Sequence, residues 1–167
     1  MRIYNFEDLT FSGNHADFDG GAIYVKNPMN MRVTSANFEG NSASRDGGAI
    51  DYVCEPTVKE FADYPDNPCR MEIADAIFTD NEAEVGGAIR WNLMEPVVSE
   101  TNKNSEFEVS SDGTVKYGSL TFRNNKAVEY GPEIASVARE LINFGESEDE
   151  GSTSVYLNYY NGTQADR

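Results

Sequence analysis

Basic residues are scarce in this chain. Thirteen Lys and Arg stand against 29 Asp and Glu in 167 residues, a formal net charge of −16 at pH 7. That shortage argues against nucleic-acid binding and against docking on anionic lipid, both of which need clustered positive charge. It leaves a self-repelling surface able to take up divalent cations loosely. Histidine occurs once, as His15, and cysteine twice, as Cys54 and Cys69. Those are too few ligands for a tetrahedral zinc site. No apolar run approaches the ~20 residues of a membrane-spanning helix, so no membrane insertion is expected of this segment. Met1-Arg2-Ile3-Tyr4-Asn5-Phe6 runs straight into the first repeat, so no signal peptide is expected in this stretch. The expectation is a segment internal to a longer chain.

What is present is one phrase written four times. It reads Phe11-x-x-Asn14-x-Ala16…Gly20-Gly21-Ala22-Ile23, then Phe38…Asn41-x-Ala43…Gly47-Gly48-Ala49-Ile50. It continues as Phe78…Asn81-x-Ala83…Gly86-Gly87-Ala88-Ile89 and closes as Phe122…Asn125-x-Ala127…Gly131-Pro132-Glu133-Ile134. Only the spacer before the glycines varies, and it is one residue shorter in the third copy. Five residues before each Phe stand Phe6, Val33, Ile73 and Tyr117; two after each Ile stand Val25, Tyr52, Trp91 and Ser136. The positions between, Tyr24, Asp51, Arg90 and Ala135, are chemically unrelated. Kept apolar positions alternating with free ones are the period-2 mark of a strand buried on one face.

The first two Phe lie 27 residues apart, which suits three short strands and three turns better than the paired helices of a helical solenoid. The expected fold is all-β: a parallel β-helix of about four coils, three strands per coil, with equivalent residues stacked ~4.8 Å apart. Phe11, Phe38, Phe78 and Phe122 then form one internal stack, and Ile23, Ile50, Ile89 and Ile134 another. Asn14, Asn41, Asn81 and Asn125 are expected at a turn, with side chains bonding the coils above and below and a backbone that tolerates left-handed angles. Gly20-Gly21, Gly47-Gly48 and Gly86-Gly87 supply positive φ and close approach at the next corner. Gly131-Pro132 breaks the pair, and a proline cannot donate to a ladder, so a distortion or the end of regular stacking is expected there.

The Phe spacing then grows to 40 and 44 residues. The excess predicts two loop insertions, at about 54–70 and 95–113, leaving one corner of the β-helix. Residues 1–142 form the repeat domain, 143–154 an acidic flexible linker, and 155–167 a strand-like tail. That tail is expected to cap the coil, pair with a neighbour or begin another domain. Cys54 and Cys69 both fall in the first, proline-rich insertion. A disulfide there, rather than two free thiols, closes a loop worth ~3 kcal/mol. The sequon Asn161-Gly162-Thr163 points, like the disulfide, towards secretion and glycosylation at Asn161.

The Phe-x-x-Asn and Gly-Gly-Ala-Ile signatures together resemble the repeats of the polymorphic outer membrane protein family, first defined in chlamydial surface proteins. The last unit, Asn125 to Ser136, is most similar to variants in protist surface proteins. The resemblance covers roughly residues 3–137. It implies a right-handed β-helix of the pectin-lyase-like kind and a role in surface display, adhesion or structural filaments. A chlamydial-type protein would also carry a signal peptide and a C-terminal membrane barrel. Neither stands in this sequence.

Function is therefore expected to be non-catalytic: a structural or adhesive module of an extracellular or cell-surface protein. Its partners are further copies of itself, flanking repeats, or a surface receptor or glycan. The alternative is a polysaccharide lyase or hydrolase built on Asp51 and Arg90, at equivalent positions of adjacent coils. A cross-strand ion pair on the surface explains those two residues as well. His15 has Ser42, Glu82 and Lys126 as its equivalents and no partners for acid–base work. No cofactor is expected. Loosely bound calcium would draw on Asp17 and Asp19, on Asp63 and Asp66, or on Glu146, Glu148, Asp149 and Glu150, none in EF-hand spacing. An ice-binding face needs an array of repeated Thr, which the outward positions lack.

Overall fold

The computed structural model describes residues 3–28, 30–55, 69, 71–92 and 107–137. The first copy of the phrase makes four short strands: β1 (Ile3–Glu7), β2 (Thr10–Ser12), β3 (His15–Ala16) and β4 (Ile23–Lys26). The second repeats them as β5 (Asn30–Thr34), β6 (Asn37–Glu39), β7 (Ser42–Ala43) and β8 (Ile50–Val53). The third gives β9 (Met71–Ala74), β10 (Ile77–Thr79), β11 (Glu82–Val85) and β12 (Ile89–Asn92). Then come β13 (Phe107–Val109), β14 (Val115–Tyr117), β15 (Leu120–Arg123), β16 (Lys126–Tyr130) and β17 (Ile134–Val137). No described residue is helical.

Equivalent strands of successive copies pair in parallel, so the chain builds stacked sheets in the arrangement of a β-helix. Phe11 faces Phe38 and Phe38 faces Phe78, which faces Phe122. Ile23, Ile50, Ile89 and Ile134 are likewise in register. The four Phe rings stack with centroids 4.8, 4.7 and 5.2 Å apart, one strand spacing. Around them Val33, Ile73, Tyr52, Trp91 and Leu120 complete the core. The Trp91 indole N–H is buried with no hydrogen-bond partner among the described residues.

Four expectations need correction. Each of the first three copies carries four strands rather than three. The pre-Phe and Phe strands are separated by a residue in the left-handed region at Asp8, Ser35 and Asp75, with φ of 53°, 52° and 51°, which turns the chain into a new sheet. Tyr117 is not the fourth member of the Phe6, Val33, Ile73 set. Its strand β14 runs antiparallel to β15 across a turn at Gly118, with β13 antiparallel beside it. Part of the segment expected as loop 95–113 is thus strand. The left-handed residue at the Asn turn is not the Asn but its predecessor: Gly13, Gly40, Asp80 and Asn124.

The short spacer of the third copy is absorbed locally. Ala83 pairs with Ala127, but Val85 pairs with Tyr130 on one side and Asp46 on the other. The register slips by one between Ala83 and Val85 and is regained at the glycines.

Candidate functional site

The kept polar residues are consumed between copies. Asn41 Oδ1 accepts from the backbone N–H and Nδ2 of Asn14, at 3.1 and 2.8 Å. Asn81 Oδ1 does the same for Asn41, and Asn125 Oδ1 for Asn81. The Nδ2 groups of Asn41, Asn81 and Asn125 also donate to the Phe carbonyls one copy earlier, those of Phe11, Phe38 and Phe78, each at 3.0 Å. These amides satisfy buried backbone groups that a tight turn leaves without partners.

The glycine corner divides its labour. Gly20, Gly47, Gly86 and Gly131 hold positive φ between 64° and 70°. Gly21, Gly48 and Gly87 lie under the next copy: a Cβ on Gly48 would fall on the Gly87 carbonyl and on the Glu82 backbone. At Pro132 the stacking does not stop. Its carbonyl accepts from Ala88 N–H, and Glu133 accepts from Ile89. In earlier copies a single alanine carbonyl takes both bonds. The distortion is confined to that swap, and Ile134–Val137 remains in register with Ile89–Asn92.

Cys54 and Cys69 form a disulfide, with Cα atoms 5.7 Å apart. Two asparagines that sequence reasoning passed over fasten the chain beside it. Asn92 Oδ1 accepts from Cys54 N–H at 2.6 Å, and Asn27 exchanges two bonds with the Glu55 backbone. Neither residue recurs in the other copies, so periodicity carried no signal for them. Tyr52 donates its hydroxyl to the Cys69 carbonyl at 2.6 Å, and burial pushes that phenol well up.

One cluster of charge crosses the outer surface from copy to copy. Arg45 grips the Asp19 carboxylate with Nε and Nη2 and lies 5.5 Å from the exposed Phe18 ring. Arg90 reaches Asp51 at 3.2 Å and Asp46 at 3.8 Å. Asp51 departs from the expectation of a surface ion pair: it is 1% exposed. Burial pushes its carboxyl up from 3.8 to about 7, against the pull of Arg90 and with help from Asp46 and Asp19. A sealed carboxyl with its guanidinium already spent is poorly placed to meet a polymer substrate.

His15 is exposed, 2.9 Å from Ser42 Oγ and 3.7 Å from Asp17. Of the acidic residues named for calcium, Asp19 is engaged by Arg45, while Asp63, Asp66 and Glu146–Glu150 lie outside the described residues. So do Asn161, the linker and the tail. Among the described residues no group of three or more His, Cys, Asp or Glu is placed to hold a metal ion. They contain no helix long and apolar enough to cross a membrane.

Residues kept for copy-to-copy contact, with varied residues facing outwards, define a repeat-built β scaffold. Residues 8–26 and 35–51, which hold the first two copies of the phrase, match the Chlamydia polymorphic membrane protein (Chlamydia_PMP) repeat. No curated protein and no solved structure matches the chain.

Proposed function

We propose that this chain is a non-catalytic structural and adhesive module of an extracellular or cell-surface protein. It is read as a right-handed β-helix of about four coils with two loop insertions. The match to a membrane-protein repeat supports a surface location in general. The disulfide agrees with an oxidising compartment. The observation that carries the reading is where the repeated chemistry goes. Asn, Phe, Ile and Gly are spent joining one coil to the next, while Tyr24, Asp51, Arg90 and Ala135 converge on no single reaction. The coil stack presents its exposed residues, Tyr24 among them, to partners, which are flanking repeats, a receptor or a glycan.

The test is a binding and turnover comparison on the secreted full-length chain. Immobilised acidic and neutral polysaccharides and whole cell surfaces are offered, and release of unsaturated or reducing sugar ends is followed. The expected result is retention on a surface without released ends. Sustained turnover that Arg90→Ala abolishes would establish the enzymatic reading instead.

A further inference from the structure

The two ends of the coil stack are chemically different. Every corner amide points one way: Gly20, Gly21 and Ala22 donate to Asp46, Gly47 and Ala49, and the third coil's amides donate in turn to the fourth. At this corner the first coil therefore turns acceptors outwards. Asp19, Gly20 and Ala22 hold the carbonyls that such donors would reach. Asn14 Oδ1, whose counterparts each take two bonds from a preceding Asn, receives none from a described residue. Asn14 is exposed, Phe11 is only half-buried, and Tyr4 and Leu9 are 43% and 41% exposed. This face is the coil-to-coil interface with one side missing.

The opposite end is closed in two places. The strand β14 takes the free edge of β15 in antiparallel pairing, setting Val115 opposite Phe122. Phe122 is 0% exposed and Asn125 6%, so the last Phe and the last Asn are covered where the first are not. At the glycine corner stands Pro132. In the three preceding coils this residue is Gly21, Gly48 or Gly87. It gives its N–H to the next coil, and a Cβ on it would collide with that coil's carbonyls. Proline has no N–H to give and carries the forbidden carbon.

We propose that the stack grows in one direction only. The face of β1–β4 is a docking surface for another coil of the same repeat, with Asn over Asn14 and glycine over Gly21, and Pro132 with β13–β14 is the built-in terminator. The occupant is a repeat whose second corner glycine is intact, because continuity with the three existing interfaces demands it. The fourth coil of a second copy of this chain, which presents Pro132, does not qualify. This rests on the reading of the chain as a unit among flanking repeats, and it assigns the end at which they sit.

The test adds one coil to the full chain. In one variant a copy of residues 3–29 is placed directly before Ile3, using the natural connection to the next coil. In a second the same copy follows Val137, and a third is the first variant with Gly21→Pro in the added copy. Amide exchange of His15 and Tyr24, whose N–H groups face away from the second coil, is the readout, with the Tm alongside. The first variant is expected to slow exchange at both amides at least tenfold and to raise the Tm. The second and third are expected to leave coil exchange within twofold of the parent. Equal gain from the second variant overturns the terminator and leaves the flanking-repeat reading standing. Equal gain from the third overturns the role of Pro132. No gain from the first, with the parent coils still folded, overturns the docking face and the flanking-repeat reading together.

Discussion

Burial separates four phenylalanines that occupy equivalent places in the repeat. Phe38 is stacked between two rings and is 0% exposed, whereas Phe11 is stacked on Phe38 alone, with Phe6 edge-on beside it, and is half-buried. Phe38→Ala is expected to cost ~3–5 kcal/mol through the cavity it leaves, and Phe11→Ala less than half of that. Urea unfolding midpoints check it, and equal losses would contradict the stacking argument. A smaller change does comparable harm at the corner. Gly48→Ala directs a methyl group into the Gly87 carbonyl and the Glu82 backbone, where nothing flexible can yield. Its Tm should fall further than that of Gly40→Ala, which has open space and only an unfavourable φ of 61° to bear. Asp51 sets a pH dependence. Its folded pKa, about 7, lies above its ordinary 3.8, so the folded state holds the proton longer. Its contribution is complete below pH 3.8 and is lost as pH rises through about 7. Asp51→Asn keeps the shape, still accepts from Arg90 and cannot ionise. It should melt above the parent at pH 8, with the gap closing towards pH 4. A parent that melts higher at pH 8 would refute this assignment.

Among the elements, the asparagine ladder has the most to lose from one change. Asn81→Ala leaves the Asn41 N–H without its acceptor, takes one of the two bonds from Asn41 Nδ2 and from Asn125 Oδ1, and removes a donor from the Phe38 carbonyl. With each buried unsatisfied group costing ~1–3 kcal/mol, the loss should reach ~3 kcal/mol or more. Asn14→Ala removes one side-chain bond at an exposed turn and should cost ~1 kcal/mol or less. Chemical denaturation of both variants, side by side, reads the difference. These positions were legible in the sequence because each is forced by a twin one coil away, so spacing and identity repeat together. Strand number was less legible. The break between the pre-Phe and Phe strands is made by Asp8, Ser35 and Asp75, whose side chains do not advertise a left-handed backbone as glycine does. Tyr117 has the spacing of its supposed equivalents and still belongs to a hairpin. Spacing measures distance along the chain, and the direction of the strand is decided by the turn at Gly118 and Ser119.

At the scale of the molecule, period-2 alternation locates the inside and says nothing about what lies over the outside. Alternation with Ile50 and Tyr52 predicts an outward Asp51 at the surface, yet its side chain is sealed. Its ion partner Arg90 comes from the next coil, and contacts between distant residues likewise pair Arg45 with Asp19 and clasp Asn27 and Asn92 around Cys54 and Glu55. The disulfide joins residues 15 apart. Reducing it should lower stability by ~3 kcal/mol on the chain-entropy account, which a denaturant titration with and without reductant would measure. The same bond has a mechanical meaning. A coil stack pulled from its two ends peels one turn at a time, each turn giving up its length as rope. Between Cys54 and Cys69 the crosslink carries the tension, so the chain between them is never paid out. At ~3.5 Å per residue that withholds about 45 Å, and a reduced molecule stretched under load would run longer by that one step.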